Sequence, residues 1–447
     1  MSTRVGHAAI PAPFSTRLPL AWIIPVVMAG LLSGCATGVS TIAPTLPAES
    51  GRAQAGVTLQ ERREWVFPED RVRFDNRMPT ARLNAVTRAA PYHYLVEILP
   101  ETTPINPSPW YGFRVTAEKK QDLRIDFHYP GFQHRYDPKL GASNGTWRQA
   151  TSAEFTPAND GQPASLQVEV GPESLLVFAQ PPHSPKNFDD WIDSIEATFP
   201  IERSVVGRSV QGRALHLFEF GGGDNSPLLI IVGRMHPPES TGSGALFGFV
   251  ETLVADTPQA RAFREQVRTV VVPLVNPDGL AEGHWRTNIR GKDLNRDWGP
   301  FTEPETQAVA RALLERSEGE GRTVAFALDF HSTFRDVLYT VTEDPARVSG
   351  GALSRWVAAM RVHTPELEER PSAAAGGSPV FKNWVYCRFG APAVTYEVGD
   401  TTPRAALDAL SRHAAVSLME ILAEDAGRAS TASVPTPACM AAAPDDD

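Results

Sequence analysis

His236 and Glu239 stand three residues apart in the stretch Leu228–Gly242, which reads LLIIVGRMHPPESTG. An imidazole nitrogen and a carboxylate oxygen held close together supply two of the three protein ligands of a catalytic zinc site, whose fourth position stays open. The spacing alone has little specificity. With 11 histidines in the chain, about one H-x-x-E match arises by chance, and a second one is present at His363–Glu366. The flanking residues separate the two. Leu228–Val232 is an unbroken apolar run rich in β-branched side chains and reads as a buried strand of a parallel sheet. Gly233 ends it, Pro237 and Pro238 carry the chain across the strand end as a turn, and Ser240–Val254 resumes with the apolar spacing of a helix. His236 and Glu239 are thus expected in the crevice beyond the carboxyl end of a strand, where open α/β sheets bind ligands. His363 follows the helical stretch Ala352–Val362 and reads as a solvated helix end.

Other candidates fall at strand ends too. Thr323–Phe330 reads as a strand running directly into His331-Ser332-Thr333. Val267–Val275 reads as a strand followed by Asn276-Pro277-Asp278-Gly279, a strong turn signal. A polar segment then carries Arg286, Arg290, Asp293, Asn295 and Arg296. The late strand Ala393–Val398 holds Glu397. Two histidines and a glutamate from two strand ends, with arginines and a further glutamate nearby, are what metal-assisted amide hydrolysis requires.

The elements that must position these groups are legible in outline. Helices are expected over Ser240–Val254, Thr302–Arg316, Gly351–Val362 and Ala405–Ala423, with Thr302 and Glu305 as a capping box. Strands alternating with helices indicate an α/β fold with a mixed, largely parallel sheet flanked by helices. Before it, Trp110–Thr116, Leu123–Tyr129 and Leu166–Val170 alternate apolar and polar residues, as in an antiparallel β-sandwich with one wet face per sheet. His128 and His134 are read there as plain surface residues. The proline-rich stretch Ala179–Pro185 marks the boundary. The expected organisation is a leader over 1–35, a linker over 36–56, the sandwich over 57–183, the α/β domain over 184–425 and a disordered tail over 426–447.

The 447 residues carry a net charge of −10 with no lysine or arginine cluster, a balance that argues against nucleic acid as a partner. Three cysteines, Cys35, Cys387 and Cys439, are too few and too scattered for a disulfide framework or a thiolate metal site. At the amino terminus, Arg4 and Arg17 precede the apolar run Leu18–Leu32, which is short for a membrane span and broken by Pro19 and Pro25. It reads as an export signal.

Several stretches resemble known proteins. Leu32-Ser33-Gly34-Cys35 resembles the lipobox of bacterial lipoproteins, which implies lipidation of Cys35 and a body tethered to a membrane and facing the periplasm. Ala36 in the next position leans towards the outer membrane. HPPE at 236–239, NPDG at 276–279, DLNRDW at 293–298, the histidine of DFHS and the glutamate of TYEVG stand in the order found in zinc metallocarboxypeptidases of the carboxypeptidase A superfamily. INPSPWYGFRV at 105–115 resembles the sandwich that precedes the catalytic domain in the cytosolic carboxypeptidase subfamily, which includes tubulin deglutamylases. The resemblance covers roughly Val57–Ala423.

It implies one Zn2+ held by His236, Glu239 and His331. It implies Glu397 as the general base that takes a proton from the attacking water and hands it to the leaving amine. Arg286 takes the oxyanion-stabilising place, ahead of its rival Arg290. Asn295 and Arg296 would grip the terminal carboxylate of a peptide substrate, and Asp293 would orient the first histidine. One departure is plain: digestive carboxypeptidases carry a mobile tyrosine just before Gly-Gly-Ser, whereas Pro371–Ala375 before Gly376 contains none. Tyr386 and Tyr396 are the remaining candidates. The competing expectations are zinc hydrolysis of peptidoglycan stem peptides or of an N-acyl amino acid, and a binding lipoprotein without catalysis.

Overall fold

A computed structural model describes residues 56–142, 145–159, 161–342, 351–374 and 377–427. The expected leader, Cys35, the linker up to residue 55 and the tail beyond Gly427 lie outside the described residues. The chain core is a mixed eight-stranded sheet. Its strands run in the order Glu202–Arg208, Ala214–Phe220, Arg268–Val272, Leu228–Gly233, Val324–Thr333, Ala393–Gly399, Val337–Val341 and Glu368–Ser372. The four from Arg268–Val272 to Ala393–Gly399 are parallel to one another, and the strand next to them on each side, Ala214–Phe220 and Val337–Val341, runs antiparallel. After Leu228–Gly233 the chain adds Arg268–Val272 on one side and Val324–Thr333 on the other. This is a topological switch point, the place where such sheets leave a crevice.

All of Leu228–Gly233 is buried, and period-two alternation divides it between two cores. Leu229 and Ile231 face a layer with the helices Ser240–Val254, Ala352–His363 and Arg404–Gly427, to which they contribute beside Phe249, Trp356 and Leu418. Leu228, Ile230 and Val232 face the opposite layer, with Val309 and Leu313 of Pro304–Leu314 and Trp384 of Phe381–Phe389. Burial of each such side chain contributes about 1.5–3 kcal/mol. This is why a continuous apolar run, and not an alternating one, encodes the central strand.

The amino-terminal part is a sandwich of a six-stranded and a five-stranded sheet. They share one core in which Phe74 and Phe113 from one sheet meet Tyr94, Ile125 and Phe127 from the other. The sheets are antiparallel with one exception, His93–Glu97, which pairs parallel with Gln121–His128. The sandwich and the eight-stranded sheet belong to one compact unit. Trp285 of the second part is buried in the sandwich core and its Nε1 donates to the Trp110 carbonyl at 3.0 Å. Gly283, with φ +65°, meets the same surface. A Cβ there would lie 2.7 Å from the Thr80 carbonyl oxygen, so the approach requires glycine.

Local chemistry departs from the sequence reading in four places. Asn276-Pro277-Asp278-Gly279 opens a short helix, Pro277–Glu282, and is not an open turn; Asn276 caps it by accepting from Gly279 N–H, and proline occupies the first helical position. The capping box of Thr302 and Glu305 does not form, because the Thr302 hydroxyl donates to Asp297 while Glu305 accepts from Asn288 and from Val210 N–H. The expected strand Val267–Val275 is confined to Arg268–Val272, as Pro273 lacks the N–H needed to extend the ladder. His134 is not a plain surface residue. Its ring packs among Tyr111, Phe127, Tyr129 and Phe155, and burial lowers its pKa to about 4. His128 is exposed as expected, and His363 ends its helix at the surface.

Candidate metal centre and active site

The chain leaves the central strand through Arg234, a non-glycine residue at φ 54°. Its buried guanidinium holds the following turn by donating to the Glu239 carbonyl at 3.0 Å and to the Ser243 and Ser240 hydroxyls. That fold-back sets His236 and Glu239 over the strand end and starts the helix at Ser240. The helix lies hard against the neighbouring strand: Gly242 N–H donates to Ser332 Oγ at 2.8 Å, and a Cβ on Gly242 would fall 2.4 Å from the His331 carbonyl oxygen.

His236, Glu239 and His331 converge, each buried, with one ligand atom apiece lying within 4.8 Å of the others. His331 Nδ1 is 2.7 Å from Glu239 Oε2, and His236 Nδ1 is 2.8 Å from Glu239 Oε1. The two Nδ1 atoms approach each other to 3.1 Å. On the far side of each ring stands a carboxylate. His236 Nε2 meets Asp293 Oδ1 at 3.0 Å and His331 Nε2 meets Asp329 Oδ2 at 2.8 Å. When each Nε2–H donates to its carboxylate, both Nδ1 lone pairs point inward to the space they share with the Glu239 carboxylate. This donor set is that of a divalent cation and fits zinc.

The electrostatics agree. Burial alone would push Glu239 up, but His236 and His331 hold it well below the ordinary carboxylate range. Burial alone would push His331 down, but Asp329 and Glu239 raise it well above 6.5. The acids around these two imidazoles demand positive charge between them. Asp293 is likewise held low, despite its burial, by His236 and Arg286.

Glu397 is the register partner of His331 on the adjacent parallel strand, Ala393–Gly399. Its Oε2 is buried with no hydrogen-bond partner among the described residues. Burial first, and the Glu239 charge second, push its pKa up to about 7. A carboxylate of that basicity beside a metal centre can both accept and return a proton.

Residues 188–406 match the sequence profile of the zinc carboxypeptidase family. This stretch is a zinc carboxypeptidase domain.

The chain is 27% identical over 231 residues to an uncharacterised protein of Zymomonas mobilis, an alignment covering 50% of this chain and 58% of that protein. It is 29% identical over 162 residues to human cytosolic carboxypeptidase 6, covering 34% of this chain and 32% of the relative. The chain therefore spans less than two thirds of the length of these curated relatives. Among solved structures, a metallo-carboxypeptidase from Burkholderia cenocepacia superposes with a TM-score of 0.66 at 19% identity, covering 78% of this chain and 98% of that one. A metallo-carboxypeptidase from Pseudomonas aeruginosa in complex with (2-guanidinoethylmercapto)succinic acid gives 0.63 at 18% identity, over 78% and 99%. These two likenesses establish the shared fold, and their coverage shows that it extends beyond the carboxypeptidase domain.

Around this domain's metal centre the remaining candidates take distinct positions. Arg286 Nε donates to Asp293 Oδ2 at 2.7 Å, so one carboxylate links the arginine to His236. Arg290 makes no contact with Asp293 among the described residues; its half-exposed guanidinium lies 3.9 Å from Glu303. Arg296 is exposed and forms no ion pair among the described residues; its Nη1 donates to the Asn295 carbonyl at 2.8 Å. Asn295 is buried and committed: its Nδ2 lies 3.1 Å from His331 Nε2 and 3.3 Å from Asp329 Oδ2, while its Oδ1 accepts from Phe381 N–H. In this structure its Nδ2 donates to Asp329 Oδ2, the carboxylate that also meets His331 Nε2, and its Oδ1 is taken by the Phe381 N–H. Tyr396 is fully buried against Phe330 and Trp356, and Tyr386 is buried in the helix Phe381–Phe389.

Two residues that hold the candidate ligands escaped the sequence reading. Asp329 had a signal, since residues two apart on a strand share a face and D-F-H places a carboxylate beside the histidine it serves. Arg234 had none, because an arginine after a strand is ordinarily a solvated residue.

Proposed function

We propose that this protein is a zinc-dependent metallocarboxypeptidase that hydrolyses the C-terminal peptide bond of peptide substrates. The observation that carries this reading is the inward convergence of two imidazole Nδ1 atoms and the Glu239 carboxylate, each imidazole backed by its own aspartate, with Glu397 one strand away. His236, Glu239 and His331 would hold one Zn2+. When bound, that ion supplies a Lewis acid that acidifies water and polarises a carbonyl. Glu397 takes the proton of the attacking water and returns it to the amine nitrogen as the C–N bond breaks, leaving the water oxygen in the new carboxylate. Arg286, with Nε tied to Asp293, keeps its terminal nitrogens for the oxyanion that develops on the scissile carbonyl. Arg296 offers the exposed, unpaired charge that a substrate's terminal carboxylate requires.

The placement in the cell follows the leader. An apolar run ending in Leu-Ser-Gly-Cys supports export as a lipoprotein tethered through Cys35, on the periplasmic side and on the outer membrane. Among the described residues no helix is long and apolar enough to cross a membrane.

The test is metal content together with amino-acid release from a panel of blocked dipeptides and a random peptide library. One zinc per chain, release of free C-terminal residues, and inhibition by a chelator are expected. A zinc-loaded protein that releases no residue from any peptide would overturn the reading.

A further inference from the structure

The loop that carries Arg286 is held from outside the carboxypeptidase domain. Glu101 lies in the sandwich, more than 180 residues earlier in the chain, and is 1% exposed. Its Oε2 accepts the Trp285 N–H at 2.7 Å. Its Oε1 accepts the Arg286 N–H at 3.0 Å, the Thr287 N–H at 2.8 Å and the Thr287 hydroxyl at 2.8 Å. Three consecutive backbone amides converging on one carboxylate form a nest, and a charged acceptor makes each bond about twice as strong as a neutral one. Two neighbours of that carboxylate are themselves fixed. Arg82, whose buried charge acts on Glu101, donates its Nε to the Leu99 carbonyl at 2.8 Å, and the Trp285 ring is locked in the sandwich core. Arg286 is consequently held at both ends, its backbone by Glu101 and its guanidinium by Asp293 at 2.7 Å.

We propose that Glu101 is a positioning residue for catalysis, by which the sandwich domain fixes the backbone of Arg286 and so aims its guanidinium at the reacting carbonyl. The inference rests on the carboxypeptidase reading above. A sandwich that only stabilised the fold could satisfy these four donors with separate neutral acceptors. A carboxylate gathering the amides of the arginine and of both its neighbours sets the direction in which that side chain leaves the chain. A displacement of about 1 Å at such a group costs on the order of 100-fold in rate.

The test is a double-mutant cycle on the full-length, zinc-loaded protein with the best substrate of the wild type. Glu101→Gln is expected to lower kcat at least about tenfold with KM changed less than about twofold, because Arg286 acts on the transition state. In an Arg286→Gln background the same substitution is expected to cost no further rate. An equal loss in both backgrounds, or no loss in either, overturns the proposal, the first by reducing Glu101 to a fold staple. If Glu101→Gln fails to fold, Thr287→Val, which removes the hydroxyl donor alone, is run through the same cycle and judged by the same coupling. Hydrogen exchange at Trp285–Thr287 provides a readout that does not depend on turnover. These amides are expected to be protected in the wild type and to exchange faster in the variant, with zinc content unchanged; amides that exchange freely in the wild type overturn the tie itself. A wild type that hydrolyses nothing while these amides respond as expected would strike the functional reading and leave the tie standing.

Discussion

Asp329 stands two residues before His331 on the same strand, and its Oδ2 meets His331 Nε2 at 2.8 Å. The aspartate faces the same side as the histidine because side chains alternate along a strand. In the tautomer whose Nε2–H donates to this carboxylate, Nδ1 is left for a metal. Asp293 meets His236 Nε2 in the same way from a separate loop. Removing such a partner typically costs 10–100-fold in metal affinity. Asp329→Asn is therefore expected to weaken zinc binding by roughly 10–100-fold while the protein stays folded, as measured by competition against a chromogenic chelator. Unchanged affinity would show that the ring needs no such support.

Arg286 and Arg290 are four residues apart in sequence, yet only Arg286 is joined to the carboxylate that holds His236. Arg286→Lys keeps a charge but loses the fork that bonds Asp293 while leaving donors for substrate. It is expected to lower kcat by about 100- to 1,000-fold with little change in KM, whereas Arg290→Ala is expected to leave both unchanged. Steady-state kinetics of the pair decide the assignment, and an equal loss in the two variants would contradict it.

Arg296 is expected to act in binding more than in the chemical step. Arg296→Ala should raise KM for peptides with a free C-terminal carboxylate and abolish the preference for them over C-terminal amides. Comparing kcat/KM for each acid and amide pair checks this, and a preference that survives the substitution would move carboxylate recognition to another group.

Acid stability depends on two enclosed histidines. Burial lowers His134 to about 4, and burial together with Arg234 and Arg404 lowers His183 to about 3, from an ordinary 6.5. Above pH 6.5 neither state binds these protons, so their folded environment carries no penalty. As pH falls below 6.5, the unfolded chain takes up protons that the folded chain refuses, and stability falls until the folded values are reached. His134→Gln is expected to reduce the slope of unfolding free energy against pH in the range 6 to 4 by about one proton. Denaturant unfolding at several pH values measures it, and an unchanged slope would show that His134 titrates alike in both states.

Much of the centre was legible because each ligand sits where a pattern changes. The apolar run of Leu228–Val232 stops at Gly233, prolines bar a helix, and His236 and Glu239 fall at the break. His331 and Glu397 end runs of strand-forming residues, and the order of the motifs carried the family resemblance. What stayed hidden depends on contacts distant in sequence. Nothing near Asn295 shows that its amide is tied to Asp329 and to the Phe381 N–H, since both meet it only after folding. The Thr302 and Glu305 pair has the spacing of a capping box, but Asp297 and Asn288 take both side chains. His134 alternates with polar neighbours in a loop, and only the packing of the loop on four aromatic rings encloses it. The parallel pairing of His93–Glu97 is invisible to alternation, which is the same for either strand direction.

His236, Glu239 and His331 are together expected to hold one zinc ion through their inward-facing atoms. Anomalous diffraction at the zinc edge, from crystals of protein purified without added chelator, tests it most directly. One peak is expected, bonded to both Nδ1 atoms and to the Glu239 carboxylate at about 2.0–2.2 Å. A metal-loaded crystal with no peak between these three side chains, or with the ion bound elsewhere, would contradict the account.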